Sequence, residues 1–430
     1  MSAEVKLSTR NALRVLRAGP FRRYIIGSAI SDTGTWMQVM AQGYVMSTLT
    51  TKAIMLGMAN LAAGLPMLLL TMIGGSVADR FDKRKILLAT QYLQIVLAIG
   101  IGLLIMSGKI QIWHILAFAV VLGISNSFEM PTLNAFVPEL VRRDEIQSAI
   151  AIDRAVFHGS RVVGPALAGI FISVWGAASA FFCNAVSFVA LIIALFLIPP
   201  RRRGTAEEEA KRASGIKDGF RYIADDKPSL AMIGLIATTT LFIFPIFTVM
   251  MPLYVRIVLG MGADKFGYLM GASAVGSVVG AIFLISVPRA RRIALMMINV
   301  CVATCAIFSL SLAPSFYVAT AVLICNSLAL SMNFGLANTI VQERAPDYLR
   351  GRVAAVFMLS FVGLMPIAGL GITGLSDLIG MRTAIALAAL CYGVIGLFVL
   401  VRVRMQCREQ PQGQAEAGKR PAPPPLPATV

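Results

Sequence analysis

Twelve stretches of this chain are almost free of charge and run for about twenty residues or more, the length a helix needs to cross a hydrocarbon core of about 30 Å. They fall at 24-49, 53-78, 86-107, 111-130, 147-175, 177-198, 229-258, 263-287, 292-313, 315-341, 353-376 and 380-402. The runs are continuously apolar and do not alternate, which excludes a transmembrane barrel and leaves helices as the only way to satisfy the backbone in lipid. Composition agrees: 57% of the 430 residues are hydrophobic and only 14% are charged, against about a quarter charged in a soluble domain. An all-α membrane protein is expected.

The charges that remain are distributed by side. Of the 38 Lys and Arg, 31 fall in the two termini and in alternate connections, 5 fall in the other connections and 2 lie within spans. The positive-inside rule then places both termini in the cytoplasm. Because the basic residues lie between apolar runs, the net charge of +17 does not form the single basic face that nucleic acid requires. The basic first twenty-three residues lack the apolar core of a signal peptide. Five of the six cysteines (183, 301, 305, 325, 391 and 407) lie in apolar stretches and fit buried small residues, not a disulfide framework.

The longest connection divides the spans six and six. The expected organisation is an N-terminal segment 1-23, a six-helix bundle 24-198, a linker 199-228, a second six-helix bundle 229-404 and a Pro-rich disordered tail 405-430. A weak repeat relates the halves: Asn134 and Glu139 after span four correspond to Asn338 and Glu343 after span ten, and Pro165 corresponds to Pro366. Two pseudo-symmetric bundles facing one another follow.

Two motifs stand on this frame. The connection after span two reads GSVADRFDKRK from Gly75, with Asp79, Arg80, Lys83 and Arg84. It is similar to the G-x-x-x-D-R-x-G-R-[RK] signature of the major facilitator superfamily, except that Asp82 replaces a glycine. Span five carries Ser160, Gly164, Pro165, Ala168 and Gly169, which resembles the G-x3-G-P-x2-G-G element of that superfamily's exporters. Longer segments, such as FRRYIIGSAISDTGTWMQ and VQERAPDYLRGRV, resemble the bacterial branch that holds the enterobactin exporter and macrolide efflux proteins. The resemblance implies the twelve-helix major facilitator fold and a cytoplasmic gate at the first motif, where Gly75 permits close helix approach and Asp79 faces a helix N-terminus. It also implies a seal on one side of the cavity at the second motif, and a monomer. The arginine that many proton-coupled members carry in span four would fall at Ala119, so coupling through that position is excluded.

Ionisable groups in mid-membrane are costly and point to function. Span one has Asp32; span five has Asp153, Arg154, His158 and Arg161, the last three at i, i+4 and i+7 on one face. An Asp32–Arg161 ion pair is expected near the cavity, either as a proton switch or as a structural pair. His158 is either a proton carrier or a packing residue. Glu129 and Asp377, near span ends, are expected to orient loops. The substrate cavity is expected to be lined by Trp36, Gln42, Phe244, Phe247, Asn333, Phe357 and Phe361, with Pro245, Pro252 and Pro366 breaking spans seven and eleven, as suits a large, partly apolar substrate.

These features favour a secondary exporter of drug-like or siderophore-like molecules that uses protons as partner. A lysophospholipid flippase and a transition-metal exporter of the same fold are the alternatives. The chain has no phosphate-binding loop for an ATP-driven pump and no clustered nucleophile, base or metal ligands for an enzyme. No cofactor and no resident metal are expected.

Overall fold

The computed structural model describes residues 14-17, 19-199, 216-284, 287-346 and 349-417. Most of the N-terminal segment, the arginine and glutamate runs of the linker and the last thirteen residues of the expected tail lie outside the described residues. Among the described residues there is no strand.

The first half runs through Gly19–Leu49, Ala53–Arg80, Lys83–Met106, Ile112–Phe136, Ile146–Trp175 and Ala178–Leu197, here spans one to six. In the second half, span seven is Lys227–Phe242 continued by π-helical turns at Ile246–Met250 and Tyr254–Val258. Spans eight to ten are Ala263–Leu284, Arg292–Leu312 and Phe316–Arg344; span eleven is the broken pair Arg350–Val362 and Met365–Ile379; span twelve is Met381–Ala417. The interruptions fall beside Pro245, Pro252 and Pro366, where a missing N–H and a ring displace the hydrogen-bond ladder.

Two expectations change. Eleven helices, not twelve, are long and apolar enough to cross a membrane among the described residues. Span one has ample length at 31 residues but carries Ser28, Ser31, Asp32, Thr33, Thr35, Gln38 and Gln42, which lower its apolar content. Span twelve does not stop near residue 404 but continues helically through Ala417.

Packing repeats between the halves. Span two packs on four and three on six, as eight packs on ten and nine on twelve; three on four likewise matches nine on ten. The repeated glutamates make the relation explicit. Glu139, beyond span four, binds Lys83 at the start of span three at 2.9 Å, and Glu343 of span ten binds Arg292 at the start of span nine at 2.8 Å. This is the major facilitator fold.

A short helix, Ile216–Asp225, leads into span seven and packs on the start of span eleven, with Gly219 against the backbone of Arg352. Asp226 fastens the junction. Its carboxylate caps span seven by accepting from the Ser229 N–H at 3.1 Å and takes both Nε and Nη2 of Arg344 at 2.8 and 2.6 Å. Burial alone would push Asp226 up, but the hydrogen bonds from Arg344 and Ser229 outweigh it and hold the carboxyl below its ordinary value. A depressed folded value means that the ionised form stabilises the fold above the unfolded value of about 3.9, and that this contribution disappears as pH falls through the folded value. Asp226→Asn is therefore expected to cost roughly 1 kcal/mol near pH 7. Its melting temperature should converge with that of the wild type near pH 3, and a thermal-melt series from pH 7 to 3 checks it; a constant difference across the series would remove Asp226 from this role.

Candidate functional site: a cleft between the two halves

The face of span five that carries Arg154, His158 and Arg161 is turned toward the second half. At Arg161 the halves meet: its guanidinium carbon lies 5.1 Å from the ring centroid of Trp36 in span one and 5.4 Å from that of Phe244 in span seven. One and two turns nearer the basic side, His158 and Arg154 are exposed. Arg154 turns sideways to donate to Asn134 Oδ1 of its own half at 2.6 Å. The same face thus touches the other half at one level and is open at the next, which describes a cleft widening toward the basic side.

Aromatic rings surround the closed end of the cleft. Phe157 packs edge-on against Trp36 at 5.8 Å, Phe244 against Phe361 at 4.7 Å, and Phe334 against both Phe361 and Phe357 at 5.2 and 5.3 Å. Of the expected cavity residues, Trp36, Phe244 and Phe361 are brought together here. Phe357 is fully buried behind Phe334, and Asn333 is buried in the core of the second half beside Tyr392, so neither faces the cleft. Gln42 and Phe247 make no ring contact in the cluster: Gln42 sits next to Gly43, which packs on Pro252, and Phe247 lies against the hydrophobic core. Phe157 and Phe334 were not anticipated; Phe157, four residues before Arg161, was readable as its neighbour on the helix.

The expected Asp32–Arg161 ion pair does not form. Asp32 accepts from Ser28 Oγ at 3.1 Å, one turn below it on span one, and the charges that act on it are those of Asp153 and Arg154. Arg161 makes no hydrogen bond or ion pair among the described residues; its guanidinium lies over the two rings. Each such contact contributes up to about 2 kcal/mol when desolvated, against several kcal/mol for burying the charge. Asp153 accepts from Tyr24 Oη at 3.0 Å. Glu129 does not orient a loop: in span four it accepts from Gln91 Nε2 at 2.6 Å and from Gln94 Nε2, both of span three. Spans one, four and five of the first half therefore hold three carboxylates, Asp32, Glu129 and Asp153, each bonded to neutral donors.

At the other end the halves are closed by small residues. A Cβ on Gly169 of span five would lie 2.8 Å from the Gly267 Cα of span eight, and one on Gly164 would lie 2.6 Å from the Trp36 Cβ. The two glycines of the second motif thus face different partners, one inside its own half and one across. Ser160 donates to the Ala29 carbonyl of span one at 3.3 Å. Spans two and eleven meet through Gly57 against Thr373 and Gly64 against Pro366. Asp377 of span eleven does more than orient a loop: it accepts from the Ala53 and Ile54 N–H groups at 2.7 and 2.9 Å, capping the N-terminus of span two across the halves. Arg256 of span seven donates to the Ser47 carbonyl of span one at the same end.

The first motif stays within its own half. Close approach to span four is made by Gly74, against the Ser127 carbonyl, whereas a side chain at Gly75 would meet open space. Asp79 is exposed and makes no hydrogen bond among the described residues; the capping carboxylate is Asp82, which accepts from the Arg84 N–H at 2.9 Å and starts span three in the role expected of Asp79. Arg84 donates to the Phe196 and Ile198 carbonyls of span six, Lys83 holds Glu139, and Arg80 is exposed.

Residues 10-428 match the family described as transmembrane secretion effector. The chain is 24% identical over 394 residues to the staphyloferrin A transporter of Staphylococcus aureus, covering 88% of this chain and 96% of that one. It is also 24% identical over 405 residues to the multidrug efflux pump Tap of Mycobacterium tuberculosis, covering 90% and 94%. Among solved structures, a bacterial homologue of the human lysosomal transporter Spinster, inward-facing and occupied, superposes with a TM-score of 0.68 at 14% identity over 90% of this chain and 97% of that one. The chain belongs to the transmembrane secretion effector family: it is a multi-pass membrane transporter of the major facilitator fold, and not an enzyme.

The cross-half cap yields a prediction. In a background free of the native cysteines, Ser376→Cys, a site now 5% exposed, should label slowly with a membrane-impermeant maleimide. Adding Asp377→Ala should raise the rate several-fold by releasing span two from span eleven. Equal rates would mean that the cap does not hold this end closed.

Proposed function

We propose that the protein exports small, partly apolar molecules of drug-like or siderophore-like size from a bacterial cytoplasm, by alternating access and in exchange for protons. The single observation that carries this reading is the cleft that ends in rings from both halves around Arg161. A body held there touches both bundles, so its binding can bias their relative position. The relatives that transport staphyloferrin A or pump drugs support the size and direction of the cargo. The 31 to 5 distribution of basic residues supports cytoplasmic termini, and with them a cleft open to the cytoplasm and closed at the outer face.

Proton exchange rests on the three carboxylates. Asp32 and Glu129 accept only from uncharged hydroxyl and amide donors, and Asp153 accepts from a phenol. Protonation then costs no ion pair, unlike the Asp32–Arg161 switch expected from sequence. In the cycle we infer, the carboxylates take up protons from the outer side. They release them to the cytoplasm as cargo enters the cleft, and the loaded, deprotonated form closes over its cargo and opens outward. Arg161 keeps its charge throughout and serves cargo, not protons.

Purified protein in liposomes enclosing a pH-sensitive dye tests this with three cargoes: a cationic dye, a macrolide and an iron-free catecholate siderophore. One of them should drive proton movement with wild type, and Asp32→Asn or Glu129→Gln should abolish most of it while cargo exchange at equal pH persists. Full proton-linked transport in both variants, or none with any cargo in wild type, would contradict the proposal.

A further inference from the structure

We propose that Arg161 is a receptor for an oxyanion, and that the cargo recognised at the end of the cleft carries a carboxylate or a similar acidic oxygen on a flat apolar body. This rests on the reading of the cleft as the transport site. It goes further in assigning that site a charge preference and a residue that sets it.

Arg161 is placed as a residue with unused capacity. A guanidinium offers two faces and an edge of five N–H donors. The guanidinium carbon lies over the rings of Trp36 and Phe244, and its N–H groups have no acceptor among the described residues. No carboxylate of the described residues forms an ion pair with it. The acidic groups of the first half are engaged elsewhere: Asp32 with Ser28, Asp153 with Tyr24, and Glu129 with Gln91 and Gln94. A structural arginine in a membrane interior ordinarily pairs with a carboxylate or a backbone carbonyl. This one lies over two rings with its hydrogen-bond donors unspent among the described residues.

That arrangement suits one chemistry. The edge of a guanidinium matches the two oxygens of a carboxylate, and the two rings beside Arg161 hold the group in place to receive them. Phe157, Phe361 and Phe334 continue the ring cluster on both sides, so the apolar body attached to the acid meets aromatic faces and edges. Arg154, exposed two turns nearer the open end, adds a second positive charge on the same face, which guides an anion inward. A cationic cargo would meet the opposite sign at the level of the rings.

The test uses three probes that share one ring system: 2-naphthoate, its uncharged 2-naphthamide and the cationic 2-naphthylmethylammonium. Binding is measured by equilibrium dialysis to the full-length protein in lipid nanodiscs. In wild type the carboxylate should bind about tenfold tighter than the amide, with the ammonium weakest. Arg161→Gln should bring carboxylate and amide within about twofold of each other, and Arg161→Lys, which keeps the charge but loses the planar edge, should fall between. Equal binding of the three probes, a preference for the ammonium, no binding of the carboxylate, or a carboxylate preference that survives Arg161→Gln would each overturn the proposal. The wild-type ranking decides the charge preference even if Arg161→Gln does not fold, and Arg161→Lys then decides the residue. Proton-linked transport in liposomes is read separately, so a transporter that moves cargo without an anion preference would refute this inference and leave the transport reading standing.

Discussion

Close contact between backbones at one end of the molecule holds the two halves together, and everything else in the cleft depends on it. Two spans can touch at Gly169 and Gly267 only because neither has a side chain there: a Cβ on Gly169 would come within 2.8 Å of the opposite Cα. Gly57 and Gly64 do the same between spans two and eleven, and Asp377 adds a carboxylate to the exposed N–H groups of Ala53 and Ile54. Apolar burial contributes little to helix association inside lipid, so such short-range packing and hydrogen bonds are the forces available. They are also forces that a small hinge motion can release. Closing one end this way fixes where the cleft opens and how deep it runs.

At the bottom of that cleft the energetics of charge take over. Asp32, Glu129 and Asp153 have uncharged donors, and the arginine at the boundary has only rings among the described residues. The two sets of groups are separated along the spans, with Arg161 at the ring cluster and the acids nearer the open end. Proton exchange and cargo recognition can then involve different residues, joined through the position of the two halves and not through one shared ion pair.

Much of the fold was legible in the chain because the bilayer imposes length and apolarity on each span, so the spans could be placed from composition alone. Span one shows the limit. Its polar residues face other helices, and it is the helix that falls short of the apolar criterion. The repeat was faint in sequence, yet Glu139 and Glu343 make equivalent ion pairs with Lys83 and Arg292, since an ion pair needs opposite charge at the right place and not the same residue. The site was less legible. Helical spacing put Arg154, His158 and Arg161 on one face, but whether Arg161 would meet Asp32 or Trp36 depends on the rotation of span one against span five, which periodicity does not encode. Asn333 and Phe357 were misplaced for the same reason: a residue type that suits a cavity wall suits a buried interface equally well. Asp377 was undervalued because the partner it caps lies 324 positions away in sequence.

The central claim is the proposed alternating access, in which the basic side closes as spans five and eight part where Gly169 meets Gly267. It is tested most directly by two distances measured by double electron–electron resonance, in a background without native cysteines. One pair of labels sits at Ala151 and Ala281 on the basic side, the other at Val174 and Asp264 on the opposite side, all four exposed. On addition of a transported compound, the first distance should shorten while the second lengthens. Distances that stay fixed, or that change in the same direction, would contradict the account.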